Sequence, residues 1–374
     1  MDGATPVAPR KVPPVPPRFV LTMVTGLRNF LNRVVQRTVP APVAMLEMVL
    51  GFFTIPMVRA AAKLGIADHL AGGPMTAEAL AHATGADPTA LARLMNTLVS
   101  MGIFARGSDA RYRLNALGGT LRSDVPGSMR DLVIFCYDPW HVHAWGALPE
   151  TLRTGKNGVA LVHGKELFDL LDGTEEGRTF DGAMVSLTQL DAPAHARAYD
   201  FSSVRLVCDV AGGKGTLLAH VLAQHPHLQG VLFDQPKVLA GAPPLLGSWG
   251  VADRVKLVPG DFFESVPEGC DVYMMRDILH DWDDARSLAI LKTIRKAMAP
   301  GSRLLVAEMV MPEDDAPFPG KLYDVEMMVV CAEGKQRTPA EFRALFEQAG
   351  MTFSRIIPTS SPFSLVEALP GGRA

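Results

Sequence analysis

From residue 204 onward, short apolar runs alternate with amphipathic stretches, and that alternation constrains the fold more than any other feature. "VRLVCDV", "GVLFD", "VKLVPGDF", "DVYMMRDIL" and "SRLLVAEMV" read as strands. "GTLLAHVLAQH" and "DDARSLAILKTIRKAM" read as helices between them. Such βα units predict a parallel sheet with helices on both faces, which binds ligands at the carboxyl ends of its strands. "TPAEFRALFEQAG" is a further helix, with Thr338 as its cap, Pro339 in first position and Glu341 in third; Gly350 stops it. "TFSRIIPT" and "FSLVEAL" close the chain as a hairpin.

The first half reads differently. Residues 41–70 carry Met48, Phe52, Ile55, Val58, Ala62 and Leu64 mostly at helical steps, with Pro56 expected to split them into two helices. Two short helices follow, one capped by Thr76 and one by Asp87 with Pro88 in its first position. "GIFAR" and "RYRLN" then form a strand pair around "GSDA". Helix, helix and two-stranded wing make a winged-helix pattern. Residues 118–200 read as mainly helical. The expected division is a Pro-rich basic arm at 1–40, a winged-helix domain at 41–117, a helical pocket segment at 118–200 and a catalytic domain at 201–374.

Charge argues against one use of a winged helix. Its second helix, about 88–101, offers only Arg93 as a base and is otherwise rich in Leu, Met and Val. A recognition helix needs several basic or amide groups. The net charge of −3 gives no overall attraction to nucleic acid. The charge is uneven: residues 1–40 hold six Arg or Lys and one acid (+5), leaving 30 basic and 38 acidic residues (−8) for the rest. "RFVLTMVTGLRNFLNRVVQRTV", within residues 18–38, therefore reads either as a basic amphipathic helix on a membrane or as an arm packed on protein; the second is the expectation. No stretch of 18 uncharged apolar residues is present, so no transmembrane helix is expected. Cys136, Cys208, Cys270 and Cys331 show no paired spacing, which fits a reducing compartment and predicts no zinc site. With no signal-peptide pattern at the N-terminus, the expected location is the cytoplasm.

The strand ends carry the chemistry. "DVAGGKG" places Asp209 and a glycine-rich turn after the first strand of the second half, where a ligand can approach the backbone beside a helix N-terminus. The turn fits neither GxGxxG nor a P-loop, so a nucleoside without a pyrophosphate is expected. Asp234 in "FDQP" suits ribose hydroxyls. Asp261 in "PGDFF" suits an exocyclic amine, and Phe262 a flat ring. For each Asp alone a turn role is an equal reading. "ILHDWDD" places His280 at the end of another strand, with Asp283 as the cap of the next helix. In "FCYDPWHVHAWG", His141 and His143 read as pocket-lining or structural residues, since no third metal ligand accompanies them.

This order of motifs, DxxGGxG, FDxP, GDFF, HDWDD and later "EGKQRTPAEF", resembles the S-adenosylmethionine-dependent O-methyltransferases with an N-terminal winged-helix dimerisation domain. That family includes plant caffeate- and flavonoid-type, hydroxyindole-type and bacterial natural-product enzymes. The resemblance covers roughly residues 42–368. It implies a seven-stranded, mostly parallel Rossmann-like α/β sheet and a homodimer through residues 41–117. S-Adenosylmethionine is the implied cofactor, released as S-adenosylhomocysteine. It also implies that Asp209, Gly212, Gly213, Gly215, Asp234, Asp261, Phe262, Arg276 and Thr188 bind the cofactor. His280 would be the general base, Glu308 the acid orienting it, and Asp281 a positioner of the acceptor. Trp140, His141, His143, Met184, Met327 and Gln336 would line the acceptor pocket, and the acceptor would be a phenol on a small aromatic natural product. Three positions depart from the family pattern: Ala211 replaces a glycine, Lys214 a smaller residue, and Gln336 a glutamate that flanks the histidine in many plant members.

Two other functions remain open from sequence. One keeps the cofactor but performs hydroxylation, decarboxylation or rearrangement; retention of His280 favours methyl transfer over it. The other is a ligand-sensing winged-helix regulator of DNA, which the apolar 88–101 helix disfavours.

Overall fold

The computed structural model describes residues 15–371. They divide into two compact units, one of residues 28–143 and 168–187, the other chiefly of residues 144–167 and the chain from Thr188 onward.

In the first unit, α1 (Arg18–Arg37) leads into α2 (Ala41–Gly51), α3 (Thr54–Lys63), α4 (Ile66–Ala71), α5 (Ala77–Thr84) and α6 (Pro88–Ser100). No side chain of α1 or α2 is buried within this single chain, so of the two packings expected for the basic arm, on its own chain or on a partner subunit, the first is not seen among the described residues. The break between α2 and α3 falls at Phe52–Phe53, not at Pro56. Pro56 sits in the first turn of α3, where its missing N–H costs no helical bond. Ala41–Lys63 is long and apolar enough to cross a membrane by length and composition, against expectation, because Glu47 is the only acid in it.

The caps form as expected: Thr76 accepts from Ala79 N–H and Asp87 from Ala90 N–H. The wing strands β1 (Ala105–Arg106) and β2 (Tyr112–Arg113) pair antiparallel. Asn96 on α6 anchors them by accepting from Tyr112 OH at 3.1 Å and Arg106 at 3.2 Å. Leu91, Met95 and Leu98 of α6 are spent in this unit's own core, against Ile66, Leu70, Leu80, Phe104 and Tyr112. Each such burial is worth about 1.5–3 kcal/mol. Short helices fill the rest up to Glu175–Ala198.

The second unit holds the sheet. Strands β3 (Leu206–Val210), β4 (Gln229–Asp234), β5 (Val255–Pro259), β6 (Val272–Arg276), β7 (Arg303–Glu308), β8 (Met351–Pro358) and β9 (Ser364–Pro370) stand in the order β5-β4-β3-β6-β7-β9-β8. The first five are parallel; β9 runs antiparallel to both β7 and β8. Side chains alternate between two cores because both faces are covered. Cys208, Val210, Tyr273, Met275, Leu304 and Val306 pack with the helices Asp284–Ala297 and Pro339–Gln348. Val207, Leu232, Val272, Met274 and Leu305 pack with Thr216–Gln224 and Ala242–Ser248.

From β3 the chain winds outward to β4 and β5, then crosses back to β6 on the other side. The strand order therefore reverses between β3 and β6, and a crevice for a ligand opens at their carboxyl ends. Strand β6 is shorter than the expected 271–279. It ends at Arg276, and Asp277 turns the chain with a left-handed φ of 53°.

Candidate active site

On one side of the reversal lies the glycine-rich turn. Ala211 N–H donates to Phe233 O at 2.8 Å, continuing the ladder past β3. The chain then turns through three left-handed residues: Ala211 (φ 56°), Gly213 (61°) and Gly215 (84°). Ala211, the departure from the family glycine, adopts the glycine conformation despite its methyl group, at a cost of about 1 kcal/mol. At Gly212 a Cβ would stand 2.5 Å from Asp209 Cγ and 2.5 Å from Leu232 Cδ1, so only glycine fits. Beyond the turn begins the helix Thr216–Gln224.

Asp209 is buried, and its Oδ2 has no hydrogen-bond partner. Burial pushes its carboxyl up to about 7. Asp234, the last residue of β4, spans the turn: Oδ2 accepts from Gly213 N–H at 2.8 Å and Oδ1 from Gln235 N–H at 2.7 Å. Asp261 accepts from Phe263 N–H at 2.8 Å, and the Phe262 ring lies 4.8 Å from that of Phe263. Backbone N–H donors, close-approach glycines and acceptor carboxylates from three neighbouring strand ends thus gather at one end of the sheet.

On the other side lies His280, in a single 3-10 turn, Leu279–Asp281. Glu308, the last residue of β7, shapes this turn. Its Oε1 gathers the N–H groups of Ile278 (3.2 Å), Leu279 (3.0 Å) and His280 (3.4 Å). Its Oε2 stands 3.3 Å from His280 Nδ1. Gln336 Nε2 stands 2.9 Å from the same nitrogen, while Gln336 Oε1 is buried without a partner. The other ring nitrogen, Nε2, faces Asp281 Oδ1 at 3.3 Å. The carboxylate thus fixes the backbone and faces the ring; with the Gln336 amide turned so that its otherwise unpartnered Oε1 accepts from Nδ1–H, Nε2 is left as the basic atom.

Burial alone would lower the pKa of this histidine. The charges of Glu308, Asp281 and Asp277 outweigh it and hold His280 well above its ordinary value. Burial likewise opposes ionisation of Glu308, but the His280 charge and the hydrogen bonds it receives keep it below the usual range.

Sequence reasoning missed three residues that hold this side together. Asp191, on the helix Glu175–Ala198, takes Arg276 in two bonds of 2.9 and 2.6 Å. Asp277 pairs with Arg276 at 2.7 Å and approaches His280 Nδ1 at 3.5 Å. Arg276, expected to face the cofactor, is held by both acids, with its guanidinium also over the Phe363 ring and its charge felt by Asp209. Asp277, His280 and Glu308 lie close enough together to suggest a metal cluster, but Arg276 already balances charge there.

The third residue is Arg337, fully buried. It donates to Leu279 O (2.5 Å) and Trp282 O (2.9 Å), which bracket His280, and to Asp284 and Ser287 at the start of the next helix. The adjoining Gly334 passes so close that a Cβ would lie 2.6 Å from His280 O. The only sequence signal was adjacency: Gln336 and Arg337 are neighbours in "EGKQRTP".

Gln336, expected both to flank the histidine and to line the acceptor pocket, is buried against His280. Met327 is buried on the helix Gly320–Val330. Thr188 begins the sheet unit's part of the helix Glu175–Ala198 and is half-buried. Trp140, His141, His143 and Met184 belong to the other unit. There Trp140 and His141 are buried; His141 stacks on Phe135 at 4.9 Å and its Nδ1 lies 3.2 Å from Cys136 O. His143, on the same helix, is exposed. Two residues apart on a helix, these histidines point in different directions.

The chain is similar to known methyltransferases along most of its length. Residues 145–352 match the family model for an O-methyltransferase domain, and residues 46–124 that for an O-methyltransferase dimerisation domain. A phenazine O-methyltransferase from Lysobacter antibioticus is 38% identical over 89% of this chain and 97% of its own. A mitomycin biosynthesis 6-O-methyltransferase from Streptomyces lavendulae is 37% identical over 86% and 92%. An 8-amino-8-demethylriboflavin N,N-dimethyltransferase from Streptomyces davaonensis is 37% identical over 83% and 90%. Among solved structures, that of LaPhzM superposes with a TM-score of 0.85, 38% identity, and coverage of 89% of this chain and 100% of that one. Human N-acetylserotonin methyltransferase gives 0.81 at 28% identity, covering 89% and 98%. The chain belongs to the O-methyltransferase family that carries its own dimerisation domain, and it is an S-adenosylmethionine-dependent methyltransferase.

Proposed function

We propose that the chain methylates a phenolic hydroxyl on a small aromatic natural product, with His280 as general base. The observation that carries this reading is the buried His280, gripped at Nδ1 by Glu308 and Gln336 with Nε2 left as the basic nitrogen. The bound cofactor supplies an electrophilic methyl group on a sulfonium and leaves as S-adenosylhomocysteine. Gly212, Gly213 and Gly215 form the floor against which its amino-acid end would lie, with Asp209 beneath and Thr188 nearby in the proposed set. Asp234 would take the ribose hydroxyls, and Asp261 with Phe262 the adenine.

The acceptor must lose a proton as its oxygen takes the methyl group. A phenol of pKa about 10 is scarcely ionised at neutral pH. Nε2 of neutral His280 takes that proton, and Glu308 stabilises the resulting imidazolium. Asp281, on the Nε2 side, is placed to orient the acceptor hydroxyl. Met327 is the proposed acceptor contact in the sheet unit, with Gln336 and Arg276 supporting the His280 side. Residues 41–117 are the proposed homodimer surface; the exposed Met45, Leu46, Val49, Phe52 and Phe53 are the apolar side chains it would cover.

Some relatives methylate nitrogen. An amine acceptor brings its own lone pair and has little use for a buried, carboxylate-held base, so the His280 geometry favours oxygen. Incubation with methyl-labelled cofactor and a matched panel of phenols and anilines tests this reading. Label on phenolic oxygen is expected. Label on nitrogen alone, or a product without label, overturns it.

A further inference from the structure

We propose that α1 is a membrane-surface helix that seats this chain on anionic lipid. The helix offers a broad apolar side: Phe19, Val20, Met23, Val24, Leu27, Phe30, Leu31, Val34 and Val35 recur at helical steps. Eight of these are 42–70% exposed, and no side chain of the helix is buried. Its charges are of one sign. Arg18, Arg28, Arg33 and Arg37 face no acid within α1, and residues 3–46 contain none. Phe and Leu on one side with arginines on the other is the composition of a helix lying in a lipid interface, where long basic side chains reach the headgroups.

Two observations favour lipid over a second copy of the chain. The family's dimerisation model begins at residue 46, beyond the end of α1. Pairing of α1 with its own copy would set arginine against arginine, without the opposite charges that fix such pairs. The rest of the chain carries −8, so the arm is where an anionic surface would be met. This proposal is independent of the base assigned to His280.

The experiment is co-sedimentation of the full-length homodimer with vesicles of phosphatidylcholine alone or mixed with phosphatidylglycerol, paired with light scattering for oligomeric state. Binding to the anionic vesicles only, released by salt, is expected. Replacing Arg28, Arg33 and Arg37 together by Gln should weaken it about 100-fold. The Leu27→Glu and Phe30→Glu double variant should abolish it, with the dimer and solution activity intact. The proposal is overturned if the protein does not sediment with anionic vesicles, or if sedimentation survives deletion of residues 1–38. It is equally overturned if the double variant dissociates the dimer, since the helix then covers a second copy.

Discussion

The two sides of the β3–β6 reversal are built on opposite plans. The His280 side is dense with side-chain pairs: Glu308 collects three backbone N–H groups and a ring nitrogen, Arg337 clamps the same loop, and Arg276 joins two acids beneath it. The glycine side is built from backbone and short residues, and its central acid, Asp209, has an unpartnered oxygen. One side is held rigid by its own charges; the other is shaped to meet polar groups it does not itself supply. The contrast suits a reaction in which the base must be preorganised while the cofactor brings most of its own chemistry.

That contrast predicts opposite answers to removing a carboxylate. Glu308→Gln strips the charge from a buried pair and should cost about 3 kcal/mol of stability, read by urea unfolding. An unchanged midpoint would show that the His280 side is not held as described. Asp209→Asn removes a carboxyl that is costly to ionise. Its folded pKa, about 7, lies above the ordinary value of about 3.9. The wild type should therefore lose stability as pH rises from about 4 to 7 through this group, and the variant should lose less. The difference at pH 8 should be on the order of 4 kcal/mol. Unfolding of both proteins at pH 5 and pH 8 checks the sign.

Gln336 gives a finer test. Because His280 is raised, its neutral, basic form grows as pH rises, so kcat/KM should climb with pH through that pKa. Gln336→Glu adds a carboxylate 2.9 Å from the ring and should move the rise up by about one pH unit. An unshifted profile would mean that the limb belongs to another group.

The sequence made legible whatever is local. Thr76, Asp87 and Thr338 announced their helices because caps act within one turn. Asp234 stood out because it ends a parallel strand. The resemblance paired His280 with Glu308, and the structure brings them together. The partners of Arg276 and Arg337 were not legible, since nothing in a sequence joins Asp191 to a residue 85 positions away or Arg337 to carbonyls more than 50 positions before it. The early end of β6 was hidden for the same reason. "DVYMMRDIL" is apolar enough to continue as a strand, but Glu308 draws the next three N–H groups off the ladder. The resemblance put Gln336 both beside the histidine and in the acceptor pocket; the structure buries it beside His280.

The central claim is that His280 removes the acceptor proton. Single-turnover methyl transfer to the phenol identified in the labelled-cofactor panel, with cofactor and acceptor saturating, tests it most directly in wild type and His280→Ala. The account predicts a fall of about 10²–10⁴-fold in the variant, with cofactor affinity and fold unchanged. A rate within about twofold of wild type at neutral pH would contradict it, since a loss that small lies far below what a general base contributes.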